Sequence, residues 1–174
     1  MYFDPIKTTF EGLSWLKTVP SDIVLGGLID LTNGYWHLRL HPALRTKMLF
    51  NLEHKTYECI GVPMGWTLAP WAFTRFMRVI VSALRNPRSL YLPRHMLIMQ
   101  LQIDSIVILI YLDDLLVLIW AGQAGLDILR TVAELYRCLG LSFKTCKSIL
   151  VPARFVDHLG VTLDFLLKVY ALPE

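Results

Sequence analysis

Residues 107–120, VILIYLDDLLVLIW, are twelve apolar or aromatic residues interrupted only at their centre by Asp113 and Asp114. Two adjacent carboxylates in the most hydrophobic stretch of the chain need a structural reason, because a charge buried without a partner is strongly unfavourable. The halves 106–112 and 115–119 are short runs of Ile, Val and Leu, the composition of strands covered on both faces. The pattern predicts a β-hairpin with Asp113 and Asp114 in its turn. A membrane span over 96–121 is the competing reading. Gln100, Gln102, Asp104, Asp113 and Asp114 all lie in that window, and each central aspartate would cost about 3 kcal/mol on insertion, so no membrane is expected as a partner.

Composition frames the hairpin. A chain of 174 residues can bury one sizeable core but not two. With 55% hydrophobic and 18% charged residues, it falls outside the disordered class. A net charge of +3 suits a polyanionic partner without demanding one. Cys59, Cys138 and Cys146 are an odd number without metal-ligand spacing, which points to a reducing compartment rather than a disulfide framework or a zinc site. The first residues, MYFDPIKTTFEG, lack the apolar core of a secretory leader. An intracellular location, cytoplasm or nucleus, is therefore expected.

Outward from the hairpin, no repeat or linker divides the chain. A short helix is expected over 10–17, strands over 25–31 and 36–40 around a turn at Thr32, Asn33 and Gly34, and a second hairpin over 46–52 and 56–60. Ala72, Phe73, Phe76, Met77, Ile80 and Leu84 recur at helical spacing over 68–84. A loop over 86–95, a helix over 125–139 ended by Gly140, and strands over 154–158 and 161–170 complete the pattern. This order implies an α+β fold with helices packed on one face of an antiparallel sheet. Asp30 ends the first apolar strand, and such a sheet would set it beside Asp113. Three carboxylates at one sheet edge repel unless a cation lies among them, and hard oxygen donors select magnesium or manganese. Two such ions about 4 Å apart support nucleotidyl transfer. Asp104 is left out of the set because nine residues of extended strand put it about 30 Å from Asp113.

Tyr111-Leu112-Asp113-Asp114 resembles the Y-x-D-D signature of reverse transcriptases. The stretch Leu28-Ile29-Asp30-Leu31-Thr32-Asn33-Gly34-Tyr35-Trp36-His37 is similar to their first palm motif, and Val62-Pro63-Met64-Gly65-Trp66-Thr67-Leu68-Ala69-Pro70 with Phe73 to their second. Leu139-Gly140-Leu141 with Lys144, Lys147 and Ser148 looks like the fourth, and Val156-Asp157-His158-Leu159-Gly160 like the fifth. The five motifs stand in order and span about 10–170. The Tyr35 to Pro42 pattern is closest to retrotransposon enzymes of the gypsy and DIRS kinds. Viral RNA-dependent RNA polymerases usually carry Gly before the aspartate pair, where this chain has Tyr111-Leu112.

The resemblance implies an RNA-directed DNA polymerase palm with partial fingers, occupying 1–174, with thumb and RNase H outside it. Asp30 and Asp113 would bind two magnesium or manganese ions, with Asp114 in support and the Leu31 carbonyl completing the cage. Tyr35 would lie under the incoming sugar and exclude a 2′-hydroxyl. Met64, Gly65 and Trp66 would face the deoxynucleoside triphosphate and template, next to Tyr111 of the hairpin. Lys147 would protonate the departing pyrophosphate. The partners implied are an RNA or DNA template with its primer, deoxynucleoside triphosphates, and the remaining polymerase domains or a subunit. The chain departs from the pattern at Met64, where relatives carry glutamine or phenylalanine, and at His158, which replaces an aromatic and is expected as a surface histidine. No Lys/Arg pair of the kind that clamps a triphosphate is visible in 1–29, and 86–105 looks like an insertion. The competing expectation is a non-catalytic relic or domesticated palm that binds nucleic acid or a protein.

Overall fold

The computed structural model describes residues 19–85 and 107–172. The helix expected over 10–17 and the segment 86–105 lie outside the described residues. Strand β1 (Ile23–Asp30) is the centre of a four-stranded antiparallel sheet completed by β4 (Val107–Tyr111), β5 (Asp114–Trp120) and β6 (Ile149–Ala153), in the order β4-β5-β1-β6. β5 and β1 are the two inner strands, which is why 115–119 can be apolar at every position.

Alternation assigns the two faces. Ile29, Leu115, Val117, Ile119, Ile108 and Ile110 point to one side. There they pack with Phe73, Met77, Ile80, Val81 and Leu84 of α2 (Ala69–Arg85) and with Ile128, Leu129, Val132, Leu135 and Tyr136 of α3 (Gly125–Cys138). Leu28, Leu116 and Leu118 point to the other side. They meet Val156, Val161, Leu163 and Phe165 from a second, three-stranded sheet of β7 (Phe155–His158), β8 (Val161–Asp164) and β9 (Val169–Ala171). Burial of each such Leu, Ile or Val contributes about 1.5 to 3 kcal/mol. The α+β class with helices on one face of an antiparallel sheet is as expected, and the small sheet covers part of the opposite face.

Several expected elements take a different form. The segment 36–40 is not a strand. A 3-10 helix runs over Gly34–His37, entered through Asn33 at φ 51°, and only Arg39 pairs, in an isolated bridge with Gly61. A four-residue helix, α1 (Pro42–Arg45), precedes the expected hairpin of β2 (Leu49–Leu52) and β3 (Lys55–Glu58). β6 was masked in the sequence by Pro152, which a strand tolerates here because β6 is the sheet edge. The strand expected over 161–170 is broken at 165–168. The Asp164 carboxylate accepts the amides of Leu166 (2.9 Å) and Leu167 (3.1 Å), and Arg154 grips it with two bonds of 2.9 and 2.6 Å. His158 is buried rather than at the surface, and among the described residues its Nδ1 has no partner.

Among the described residues, no helix is long and apolar enough to cross a membrane.

Candidate active site

The β4–β5 hairpin turns on two residues, Leu112 and Asp113, and Tyr111 pairs with Asp114. Leu112 holds φ 53°, a left-handed conformation that a non-glycine residue adopts at a cost of roughly 1 to 2 kcal/mol. The tight turn makes Asp114 the first residue of β5 rather than a turn residue, and its register partner on β1 is Asp30. The expected juxtaposition of Asp30 with Asp113 is thus corrected by one position. Asp113 remains alongside through its backbone, its carbonyl accepting the Leu31 amide at 3.0 Å.

Side-chain parity decides where these carboxylates point. Asp30 and Asp114 share the alternation of Leu28, Leu116 and Leu118, so both stand on the face away from α2 and α3. Two like charges directly opposite on paired strands destabilise each other. Burial, followed by the charges of Asp113 and Asp30, pushes the Asp114 carboxyl up to about 6, while Lys144 and Lys147 pull it down.

The chain between α3 and β6 supplies the counter-charge. Helix α3 ends as expected at Gly140, and the chain then runs antiparallel beside the end of β1. The Thr32 amide donates to Ser142 O (2.8 Å), Leu31 bridges Phe143, and the Lys144 amide donates to Asp30 O (2.8 Å). At Asp30 the chain loops out and returns. The amides of Lys147 and Ser148 donate to Lys144 O (3.2 and 2.9 Å) before pairing resumes at Ile149 opposite Leu28. The excursion leaves Ser148 Oγ accepting the Asp30 amide (3.1 Å) and donating to Lys144 O (2.7 Å). It also leaves the Lys144 ammonium donating to Asp30 Oδ1 at 2.9 Å. That hydrogen bond is the main reason the Lys144 pKa is raised.

His37 braces the excursion from the other side. Its Nε2 accepts the Ser142 amide (3.2 Å), which leaves Nδ1 to donate to Gly34 O (3.2 Å). Gly34 is required by close approach: a Cβ there would lie 2.8 Å from Phe73 Cζ and 3.2 Å from Asp113 Cβ. Tyr35 packs edge-on against Phe73 at 5.3 Å. Its hydroxyl pKa is raised by burial first and then by the charges of Asp113 and Tyr111.

The structure therefore brings together Asp30, Asp113, Asp114, Leu31, Tyr35 and Tyr111. Leu31 contributes only its backbone there, since its side chain is buried in the helix-side core. Met64 lies apart from that group, exposed on an apolar groove it shares with Trp36, Phe50, Ile60 and Pro63. Gly65 adopts φ 86° in open space, so its turn, rather than a crowded neighbour, demands glycine. Trp66 packs against the Leu40, Val62 and Ala69 cluster and is half-buried. Lys147 is exposed and near enough to lower the Asp114 pKa, but the cation bonded to the cluster is Lys144. Sequence spacing could not choose between two lysines three residues apart. Ser148 and His37 carried no signal for their bracing roles.

The donor set has the chemistry of a hard-cation site: three carboxylates, two of them in register and repelling. Among the described residues, however, no group of three His, Cys, Asp or Glu side chains is gathered closely enough to hold an ion.

An antiparallel sheet with helices on one face and an aspartate pair in register at the end of its inner strands defines a polymerase palm. The chain matches the family "Reverse transcriptase (RNA-dependent DNA polymerase)" over residues 3–163 and belongs to it. It is 28% identical over 163 residues to an enzymatic polyprotein of Cestrum yellow leaf curling virus, covering 92% of this chain and 20% of that protein. Among solved structures, a foamy viral protease-reverse transcriptase in complex with double-stranded DNA matches 99% of this chain and 26% of its own, at TM-score 0.73 and 19% identity. The same kind of protein in complex with an RNA/DNA hybrid matches 92% of this chain and 19% of its own, at TM-score 0.65 and 20% identity. The chain thus spans about a fifth of the length of the curated relative it matches.

Proposed function

We propose that this chain is the palm, with part of the fingers, of an RNA-directed DNA polymerase that adds deoxynucleotides to a primer 3′-hydroxyl, other polymerase parts being supplied from outside these 174 residues. The observation that carries the reading is the register pair Asp30–Asp114 beside the Asp113 turn, on the sheet face free of helices. The complexes formed by the foamy viral relatives, with double-stranded DNA and with an RNA/DNA hybrid, support a primed template as the partner.

Asp30, Asp113 and Asp114, with the Leu31 carbonyl, would hold two magnesium or manganese ions. Ions held there would supply activation of the attacking hydroxyl and charge neutralisation for the triphosphate. The chain's own residues do the rest. The β1–β5 register fixes the carboxylates relative to one another, so little reorganisation remains at the moment of reaction. Tyr35, packed edge-on against Phe73, would present a ring that leaves no room for a sugar 2′-oxygen. Met64, exposed on the groove beside Trp36, and Gly65 would meet the incoming nucleotide and template. Lys147, exposed on the looped excursion, would donate a proton to departing pyrophosphate. The Tyr35 to Pro42 pattern supports a retrotransposon origin, and three free thiols support an intracellular site. No observation on the chain favours a non-catalytic relic over this reading.

The test is primer extension on poly(rA)/oligo(dT) with magnesium or manganese, comparing the chain with an Asp113→Asn, Asp114→Asn double mutant. Extension by the chain that the double mutant lacks is expected. Extension of equal rate in both would refute the assignment of these carboxylates.

A further inference from the structure

The 3-10 helix Gly34–His37 is too short to hold its own shape. Its backbone closes two turns, Trp36 N to Asn33 O (2.9 Å) and Leu38 N to Tyr35 O (3.1 Å). Four residues of this helix type have poorer hydrogen-bond geometry than an α-helix and no cooperative length. Burial helps little on the outer side, since Trp36 is 67% exposed. The turn nevertheless carries Tyr35, whose ring meets Phe73 edge-on. It has to be tied from elsewhere, and His37 reaches elsewhere.

His37 is bonded at both ring nitrogens. Nδ1 lies 3.2 Å from Gly34 O, across the turn that carries Tyr35, and Nε2 lies 3.2 Å from the Ser142 amide, 105 residues along the chain. Ser142 belongs to the ladder that extends β1, because its carbonyl accepts the Thr32 amide at 2.8 Å. The partner strand turns away at Asn33, φ 51°, so the Ser142 amide needs an acceptor from outside the ladder. The imidazole supplies it, with Ser142 Oγ 3.4 Å from the same nitrogen. An amide can only donate and a carbonyl only accept, so the two bonds require the neutral ring with its proton on Nδ1.

We propose that His37 is a positioning residue for sugar selection: through Gly34 O and the Ser142 amide it locks the turn bearing Tyr35 to the ladder beyond Asp30, and so fixes the place of the Tyr35 ring. The proposal rests on the reading of Tyr35 as the ring that excludes a 2′-oxygen. A steric gate works while it is held still, and a displacement of about 1 Å undoes positioning of this kind. Asparagine and glutamine separate the two bonds. The asparagine amide nitrogen stands near the place of Nδ1 and can donate to Gly34 O, but it falls short of Ser142. Glutamine reaches as far as Nε2 and presents a carbonyl oxygen to the Ser142 amide.

The experiment is amide hydrogen exchange on the full chain in EDTA, for the unaltered protein, His37→Asn and His37→Gln. The Ser142 amide is expected to exchange about fivefold faster in His37→Asn, the factor for one hydrogen bond of ordinary strength. It is expected to stay near the unaltered rate in His37→Gln, with the Val132 amide of α3 unchanged in both. Equal Ser142 exchange in His37→Asn and the unaltered chain overturns the proposal. Nitrogen NMR of the unaltered chain needs no variant to fold: the neutral His37 ring should carry its proton on Nδ1, and a proton on Nε2 instead overturns the proposal. Primer extension on poly(rA)/oligo(dT) then compares UTP with dTTP. His37→Asn should accept UTP about fivefold more readily relative to dTTP, if the whole hydrogen bond is spent on placing the ring, and His37→Gln should restore the preference. If Tyr35→Val relaxes the preference and His37→Asn does not, the proposal is wrong and the reading of Tyr35 stands. If Tyr35→Val leaves the preference unchanged, or the unaltered chain extends no primer, that reading falls and the proposal with it.

Discussion

Replacing Asp114 with asparagine should stabilise the metal-free chain, in a way that depends on pH. Asp114 faces Asp30 across the β1–β5 ladder with Asp113 next to it, and burial plus these two charges lift its carboxyl to about 6 from 3.8. A lift of about two units corresponds to about 3 kcal/mol at 1.36 kcal/mol per unit. Asp114 is only about half-buried, so solvent screening reduces this to about 1 kcal/mol. The sign follows from proton linkage. The folded state holds the proton more tightly than the unfolded chain, so ionised Asp114 opposes folding with full effect above pH about 6. That opposition is relieved as the pH falls through about 6 toward 3.8, where the folded chain takes up its proton. Asp114→Asn cannot ionise. Urea unfolding in EDTA at pH 8 should therefore show a gain of about 1 kcal/mol, or about 2 to 4 °C in melting temperature, and the gain should shrink by more than half near pH 4.5. High salt should reduce the gain at pH 8, since part of it is Coulombic. A variant no more stable at pH 8, or equally more stable at both pH values, would refute the placement of Asp114 against like charges. The same substitution is expected to abolish primer extension, so stability gained and activity lost would mark the residue as functional rather than structural.

Two further outcomes test the surroundings. Gly34→Val forces a branched side chain into Phe73 and Asp113 at contacts of 2.8 and 3.2 Å, and should destabilise by about 1 to 3 kcal/mol, read by thermal melting; an unchanged melting curve would mean that the 3-10 helix does not sit on α2. Burial lowers the His158 pKa to about 4 from 6.5, so stability is lost as the pH falls from 6.5 toward 4 and the unfolded chain gains a proton first. His158→Phe should remove about 2 kcal/mol of that loss, and acid unfolding curves that superimpose with the unaltered chain would contradict its burial.

Much of this was legible without coordinates. Two aspartates can interrupt twelve apolar residues only at a turn, and the β-branched halves can only be inner strands, so the hairpin, its burial and the family all follow from local composition and motif order. Helix α2 was legible because Phe73, Met77, Ile80 and Leu84 mark one face at 3.6-residue period. The misread segments have local reasons. The 3-10 helix at Gly34–His37 follows a left-handed Asn33, and of the apolar residues in 36–40 that suggested a strand, Leu38 and Leu40 pack into clusters while Trp36 is exposed. β6 carries a proline that only an edge position permits, and edge position is not encoded locally.

The sequence by itself determined which residues could be strands, which could be helices, that Asp30 would end a strand and that Asp113 and Asp114 would stand at a hairpin turn, because hydrophobic period and turn chemistry act over a few neighbouring residues. Only the tertiary structure decided that Asp30 faces Asp114 and not Asp113, that Lys144 is the lysine hydrogen-bonded to Asp30, and that His37 and Ser148 brace the excursion holding it. Those outcomes depend on register between strands some 85 residues apart and on a loop that returns to β1 after 114 residues. Such distances are closed by the packing of the whole sheet and its two layers, and no local preference contains them.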